Sequence, residues 1–347
     1  MDNVFYFRSI NAIGGVESFF YYLSKLYKNI VVYYENADAK QVKRLAKNIQ
    51  VRKFKGETIK CKNFFCNYGF NIKDYVEADN YYFVIHCDYK KNKLCKPLVY
   101  EGFKYIGVSK LASNSFIEMT GLPAEVIYNP IAIEKPNVPK KTDKIHIVCA
   151  TRVSSEKGGW RIDKMSELLD KAGVDYDITL YTNKPKKLKF NSPNVIVKEP
   201  KLDLTKEMTE ATYVMQLSDH EAFGLTVAES LVLGTPVIIT DIPAFHEIGC
   251  IHGKNSIIVD LDLKNVDIDL IKKGIPPFKY TPPKSNWGKY LDNNSNYNPN
   301  ELVKVKILKP RIHLIEEQKV VKRGDEIELT NIRASELEAK GYVEICD

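Results

Sequence analysis

The feature that most limits the folds open to this chain is an alternation of short apolar runs with helix-period segments, which occurs twice. From the N-terminus, Val4–Phe7, Ser18–Tyr27 and Ile30–Tyr34 read as strand, helix and strand. Tyr82–His86 and Tyr105–Val108 add strands, and Lys110–Thr120 a helix that stops at Gly121-Leu122-Pro123. Strands separated by helices imply a parallel sheet covered on both faces. A Pro- and Lys-rich stretch, Glu134 to Lys141, interrupts the pattern and reads as a linker. The alternation then restarts with strands Ile145–Ala150, Tyr176–Tyr181, Tyr213–Gln216 and Pro236–Thr240, and helices Trp160–Ala172, Thr205–Thr212 and Leu225–Leu233. A length of 347 residues exceeds one ordinary core. The expectation is α/β, two tandem doubly wound Rossmann-like domains over 1–137 and 142–275.

Beyond them, 276–300 reads as an extended connector with one return helix at Trp287–Leu291, and 301–347 changes character. Val303–Leu308 alternates with period two, Arg323–Glu326 reads as a turn, Glu326–Leu329 as a strand and Asn331–Lys340 as a helix. A β-rich α+β module this small is expected to pack on something.

Composition narrows the function classes. Apolar residues at 44% and charged residues at 27% are ordinary globular usage. No run approaches the roughly 18 apolar residues of a membrane span, and Met1–Phe5 lacks a basic region followed by an apolar run. A cytoplasmic protein without integral membrane contact is expected. The seven cysteines form no C-x-x-C pair and read as reduced thiols; no metal site is indicated, not even at Cys61 and Cys66. A formal charge of +7 suits an anionic ligand such as a nucleotide and falls short of a nucleic-acid stripe; the Lys140–Lys144 and Lys184–Lys189 runs read as solvated loops.

The chemistry concentrates in Asp219-His220-Glu221-Ala222-Phe223-Gly224-Leu225-Thr226-Val227-Ala228-Glu229, which follows a strand and opens a helix, with Gly234-Thr235-Pro236-Val237 leading into the next strand. Ligands of open α/β sheets bind beyond the carboxyl ends of the strands, where a helix N-terminus offers free N–H groups. Glu221 in the loop and Glu229 one turn into the helix can accept from paired hydroxyls, as sugar and ribose rings present.

This segment resembles the E-x7-E region of family-4 retaining glycosyltransferases with the GT-B fold, two Rossmann-like domains facing a cleft. The resemblance implies that Glu221 contacts a donor sugar and Glu229 the ribose hydroxyls. It also implies that Phe223, Gly224, Leu225 and Thr226 meet the sugar and diphosphate. Pro243–Glu247 departs from the family's Gly-Gly pattern, so no role passes to Glu247. Thr151-Arg152-Val153-Ser154-Ser155-Glu156-Lys157-Gly158 is similar to the family's G-R-x-x-x-E-K-G signature, with Thr151 replacing its glycine. Arg152 and Lys157 would neutralise the leaving diphosphate. Asn11–Glu17 resembles the family's Gly-Gly-x-Glu loop, which places Gly14 and Gly15 against the donor. His86 matches a histidine that meets the donor sugar. Ser109 and Asn129 fit family positions and serve equally as cap and turn.

The resemblance implies a hexosyl transfer with retention by a front-face route, a nucleotide-diphosphate sugar (UDP-sugar, UDP-glucose type) as co-substrate, no cofactor and no metal. The two Asp-x-Asp spellings, at Asp260–Asp262 and Asp267–Asp269, fall beyond the donor helix and read as surface. A non-catalytic nucleotide-sugar or glycan-binding module, and a phosphorylase or epimerase on the same fold, remain alternatives. The tail's Val303–Pro310 opening and Ala334–Val343 close look similar to small modules of bacteriophage virion-associated proteins. That likeness implies a phage-encoded enzyme in the host cytoplasm with a virion protein as acceptor; modified DNA bases are the alternative acceptor, and a tail bracing the second domain the plainer role.

Overall fold

The computed structural model describes residues 1–11, 13–69, 71–183 and 188–346. In chain order the first elements are β1 (Asn3–Tyr6), β2 (Ser9–Ile10), α1 (Gly15–Leu26), β3 (Ile30–Tyr34), β4 (Asn36–Ala37), α2 (Ala39–Ala46), β5 (Gln50–Lys53), β6 (Ile59–Cys66), β7 (Val76–Ile85), β8 (Phe103–Gly107), α3 (Lys110–Thr120) and β9 (Ala124–Val126). They build a sheet of order β5-β3-β1-β6-β7-β8-β9, parallel where β1 meets β3 and β6. A small β2-β4 pair lies beside it in sequence. Every residue of β1, Asn-Val-Phe-Tyr, is buried, as a central parallel strand requires.

A second set follows: β10 (Ile145–Ala150), α4 (Gly159–Lys171), β11 (Tyr176–Tyr181), β12 (Val195–Lys198), α5 (Thr205–Glu210), β13 (Tyr213–Gln216), α6 (Leu225–Val232), β14 (Val237–Thr240), α7 (Pro243–Glu247), β15 (Ser256–Val259) and α8 (Ile268–Lys273). Its sheet, β12-β11-β10-β13-β14-β15, is parallel throughout. Ile147, Cys149, Ile178, Leu180, Tyr213, Met215, Ile238 and Ile257 form its buried centre against Ile162, Met165 and Leu169 of α4. The tail contributes β16 (Leu302–Ile307), β17 (Arg311–Leu314), β18 (Lys319–Lys322), β19 (Glu326–Thr330), α9 (Asn331–Ala339) and β20 (Val343–Ile345). β19-β16-β20 is antiparallel, and β17-β18 is a hairpin.

By its contacts the chain divides into two compact units: Met1–Ile85 with Leu98–Ile106 and Ser285–Asp347, and His86–Pro97 with Gly107–Lys284. Among the described residues no helix is long and apolar enough to cross a membrane.

The connector's expected return helix is only a 3-10 turn, Trp287–Lys289. Its indole is fully buried, with ring centroids 6.0 Å from Phe5, 5.4 Å from Phe19 and 6.0 Å from Phe65. Ring contacts of this kind set the chain's path here, where helix propensity does not.

The tail braces the first unit rather than the second. α9 lies on α2, and Glu336 accepts from Lys43 Nζ of α2 at 2.9 Å, Lys340 Nζ at 2.6 Å and Arg333 Nη1 at 3.1 Å. Burial alone would raise this carboxyl, but the three cationic donors outweigh it and hold it at about 2. A carboxylate with a depressed folded-state pKa contributes stability above its unfolded value of 4.5 and loses it as pH falls toward 2. Glu336→Gln is therefore expected to cost about 1–3 kcal/mol near neutrality. In melting curves at stepped pH the gap from wild type should close between 4.5 and about 2. A gap of constant size across that window would contradict the assignment.

Candidate functional site

The site is built where the second sheet reverses its strand order. From β10 the chain steps outward through β11 and β12, then returns to place β13 on the other side of β10. The loops leaving β10 and β13 are thus neighbours at the switch point, the crevice where open α/β sheets take ligands.

Two glycines let these loops close. Gly158, at φ +67°, ends the single 3-10 turn Ser155–Lys157; a Cβ there would stand 2.0 Å from the Leu217 carbonyl oxygen. The Asp219 N–H donates to the Glu156 carbonyl at 2.9 Å, tying loop to loop. Arg161 of α4, buried, bridges them from beneath, donating to Leu217 O at 3.1 Å and pairing with the Asp219 carboxylate at 2.6 Å. Gly224, at φ +88°, starts α6; a Cβ would meet the Phe245 ring at 2.7 Å. Having no side chain, Gly224 leaves the first-turn amides of α6 without a side-chain cap, a ready anion cradle.

Across this crevice Lys157 Nζ meets Glu221 Oε1 at 2.6 Å, each side chain 17% exposed, so the pair is shielded yet reachable. Ser218 Oγ donates to the same oxygen at 2.8 Å, and Gln216 Nε2 donates to Ser218 Oγ at 2.7 Å. Glu229 and Thr226 are half-buried on α6, while Phe223 and Leu225 are buried beside its start. Lys157, Glu221, Phe223, Gly224, Leu225, Thr226 and Glu229 thus belong to one pair of loops and one helix. Arg152 follows the same strand, 66% exposed and 3.8 Å from Glu156, whereas Lys157 pairs with Glu221.

The other residues singled out belong to other segments of the chain. Gly14 and Gly15 open α1 in the first unit; a Cβ on Gly14 would stand 3.1 Å from Glu17 Oε2 and one on Gly15 would meet nothing within 4 Å, and Ala12 of their loop lies outside the described residues. His86 follows β7; its Nε2 is sealed from solvent, and burial pushes the imidazole down to about 3, so it is neutral. Ser109 caps α3 through the Ala112 N–H at 2.9 Å and donates to the Ala222 carbonyl, joining α3 to the Glu221 loop. Asn129 is buried.

Some contacts near the Glu221 loop carry no sequence signal. Glu247 accepts from the first-turn amides Lys110 N–H at 2.6 Å and Leu111 N–H at 3.0 Å, a carboxylate cap on α3 delivered from α7. Burial and this carboxylate push the neighbouring Tyr128 phenol up to about 12. The Asp-x-Asp pairs are engaged locally: Asp260 accepts from Asn265 N–H and Nδ2 at 3.0 and 2.7 Å, Asp262 pairs with Lys264 at 2.6 Å, and Asp267 caps α8 through Leu270 N–H at 2.8 Å. Lys184–Lys187 of the second lysine run lie outside the described residues.

Against solved structures, the chain is similar to HepE of Anabaena, determined in complex with UDP and glucose. That likeness has TM-score 0.61 at 14% identity and covers 79% of this chain and 89% of that one. It is also similar to a glycosyltransferase from Rickettsia africae (0.58, 14%, 78% and 88%) and to WaaG, a glycosyltransferase of lipopolysaccharide biosynthesis (0.53, 12%, 78% and 89%). The fold is GT-B: two Rossmann-like parallel sheets, here with a small antiparallel sheet at the C-terminus. Residues 144–267, which hold both loops of the site, match the family model described as glycosyl transferases group 1. No curated protein matches the chain.

Proposed function

We propose that the protein is a retaining, metal-independent glycosyltransferase that moves a hexose from a UDP-sugar. The observation that carries this reading is the shielded Lys157–Glu221 pair beside the open N-terminus of α6, at the switch point of a sheet matching glycosyl transferases group 1. A cation and free helix amides suit a diphosphate, and two carboxylates, Glu221 and Glu229, suit hydroxyls. The determination of HepE with UDP and glucose supports a uridine donor. Lys157, Arg152 and the α6 amides would stabilise the departing diphosphate, and the leaving phosphate would take the acceptor's proton on the same face. The acceptor reading is a phage virion protein, resting on the tail's likeness to virion-associated modules; the +7 charge favours modified DNA bases as the second reading.

Glu229→Ala is expected to weaken donor binding about ten- to hundredfold, the loss of a charge-assisted bond of roughly 1.5–3 kcal/mol to the ribose. Calorimetry with UDP-sugars reads this directly; unchanged affinity for the donor would remove Glu229 from the site. Slow donor hydrolysis without acceptor separates an enzyme from a binding module, and an epimerised donor would indicate an epimerase. Chelation of divalent metal is expected to leave turnover intact, because cationic side chains and amides serve the diphosphate. Turnover abolished by chelator and restored by manganese would refute this.

A further inference from the structure

Gln216 is the anomaly of the second sheet. It ends β13, a central strand whose other residues, Tyr213, Val214 and Met215, are all buried and apolar, and it is itself 5% exposed. An amide in such a place is costly unless both ends are paired. Its Nε2 is well supplied, 2.7 Å from Ser218 Oγ and 3.4 Å from both Thr151 Oγ1 and Glu221 Oε1. Its Oε1 is buried with no partner among the described residues. Leucine would fit a parallel-sheet interior better, so stability does not account for the glutamine.

The hydrogen-bond directions supply another account. A serine hydroxyl has one proton. Because Gln216 donates into Ser218 Oγ, that proton is directed to Glu221 Oε1, 2.8 Å away. Lys157 bonds the same oxygen, so Oε1 is loaded with donors while Glu221 Oε2 accepts none from the described residues. The carboxylate is thereby held in one orientation with one oxygen left to accept.

We propose that Gln216, acting through Ser218, is a positioning residue that fixes Glu221 so that its Oε2 receives a hydroxyl of the donor sugar. This rests on the glycosyltransferase reading above, in which Glu221 meets that sugar. It predicts a pattern that a structural role would not give: removing the amide helps or spares the fold and harms recognition of the sugar alone.

The test compares wild type, Gln216→Leu, Glu221→Gln and the double variant by thermal melting and by calorimetry with UDP and with UDP-glucose, together with a ligand-free crystal structure of Gln216→Leu. Gln216→Leu should melt no lower than wild type, bind UDP within about twofold and bind UDP-glucose about tenfold more weakly. In the Glu221→Gln background the same leucine should change UDP-glucose affinity by less than twofold. In the crystal structure the Glu221 carboxylate should have turned from its wild-type orientation. Equal losses for UDP and UDP-glucose, the same loss in both backgrounds, or an unmoved Glu221 would overturn the inference. If wild type binds neither ligand, the donor assignment fails instead, and the crystal structure alone decides whether Gln216 orients Glu221.

Discussion

Lys157→Met should lower the turnover of sugar transfer by about 10²–10³, the range typical for removing one preorganised charge from a developing anion. The side chain is 17% exposed, so an interaction with a diphosphate bound there would be little screened. In the free protein its charge is held by Glu221, so under the proposed function a donor phosphate would join an existing ion pair and no further ion would have to be recruited. Arg152→Ala should cost much less, because that guanidinium is 66% exposed in the free protein and must be ordered by the ligand. Single-turnover kinetics with saturating donor tests the ranking. A Lys157→Met enzyme within threefold of wild type, or one less affected than Arg152→Ala, would remove Lys157 from the diphosphate site.

Truncation after Asn300 should lower the melting temperature by about 5–10 °C, in line with losing a few kcal/mol from a unit of this size. The tail has its own small core, Val305, Ile307, Leu314, Val321, Leu329, Ala334, Leu337 and Val343. Polar pairs tie it to the rest of the first unit: Glu336 to Lys43, and Glu338 to Lys55 Nζ at 3.0 Å and to the Lys53 N–H at 3.4 Å. Removing it uncovers the flank of α2 and leaves Lys43 and Lys55 to water. Calorimetric scans read the shift. An unchanged melting temperature with intact donor hydrolysis but lost transfer to protein would instead assign the tail purely to acceptor docking.

Strands such as Ile30–Tyr34 and Val237–Thr240 were legible because buried parallel strands are runs of Val, Ile and Tyr, whereas β5, β9, β12 and β15 of the same sheets were not assigned. Shorter or more polar elements were not. Ala39–Ala46 carries three basic residues in two turns and becomes a helix because Val42 and Leu45 find a core and Asp38 caps it, its carboxylate taking the Lys40 N–H at 2.8 Å. The exposed edge strand Val195–Lys198 owes its form to its parallel partner β11, and the 311–322 hairpin to pairing across the short 315–318 connection, where few of the strand residues are buried. At the site, the loop and helix that carry Glu221 and Glu229 were legible because glycine and helix periodicity mark them locally. Arg161 meets Leu217 and Asp219 only through the fold, whereas Gln216 and Ser218 lie within five residues of Glu221 and were passed over because polar residues at a strand end look alike in a sequence.

The buried Trp287 has a consequence for how the protein is made. A chain emerging from the ribosome would expose all of the second unit, through Lys284, before the indole that Phe5, Phe19 and Phe65 enclose has been translated. The half synthesised first is thus completed last. Until then its aromatic centre is open, so arrested nascent chains ending near 284 should bind hydrophobic-surface chaperones through residues 1–85, and chains released past 300 should let them go.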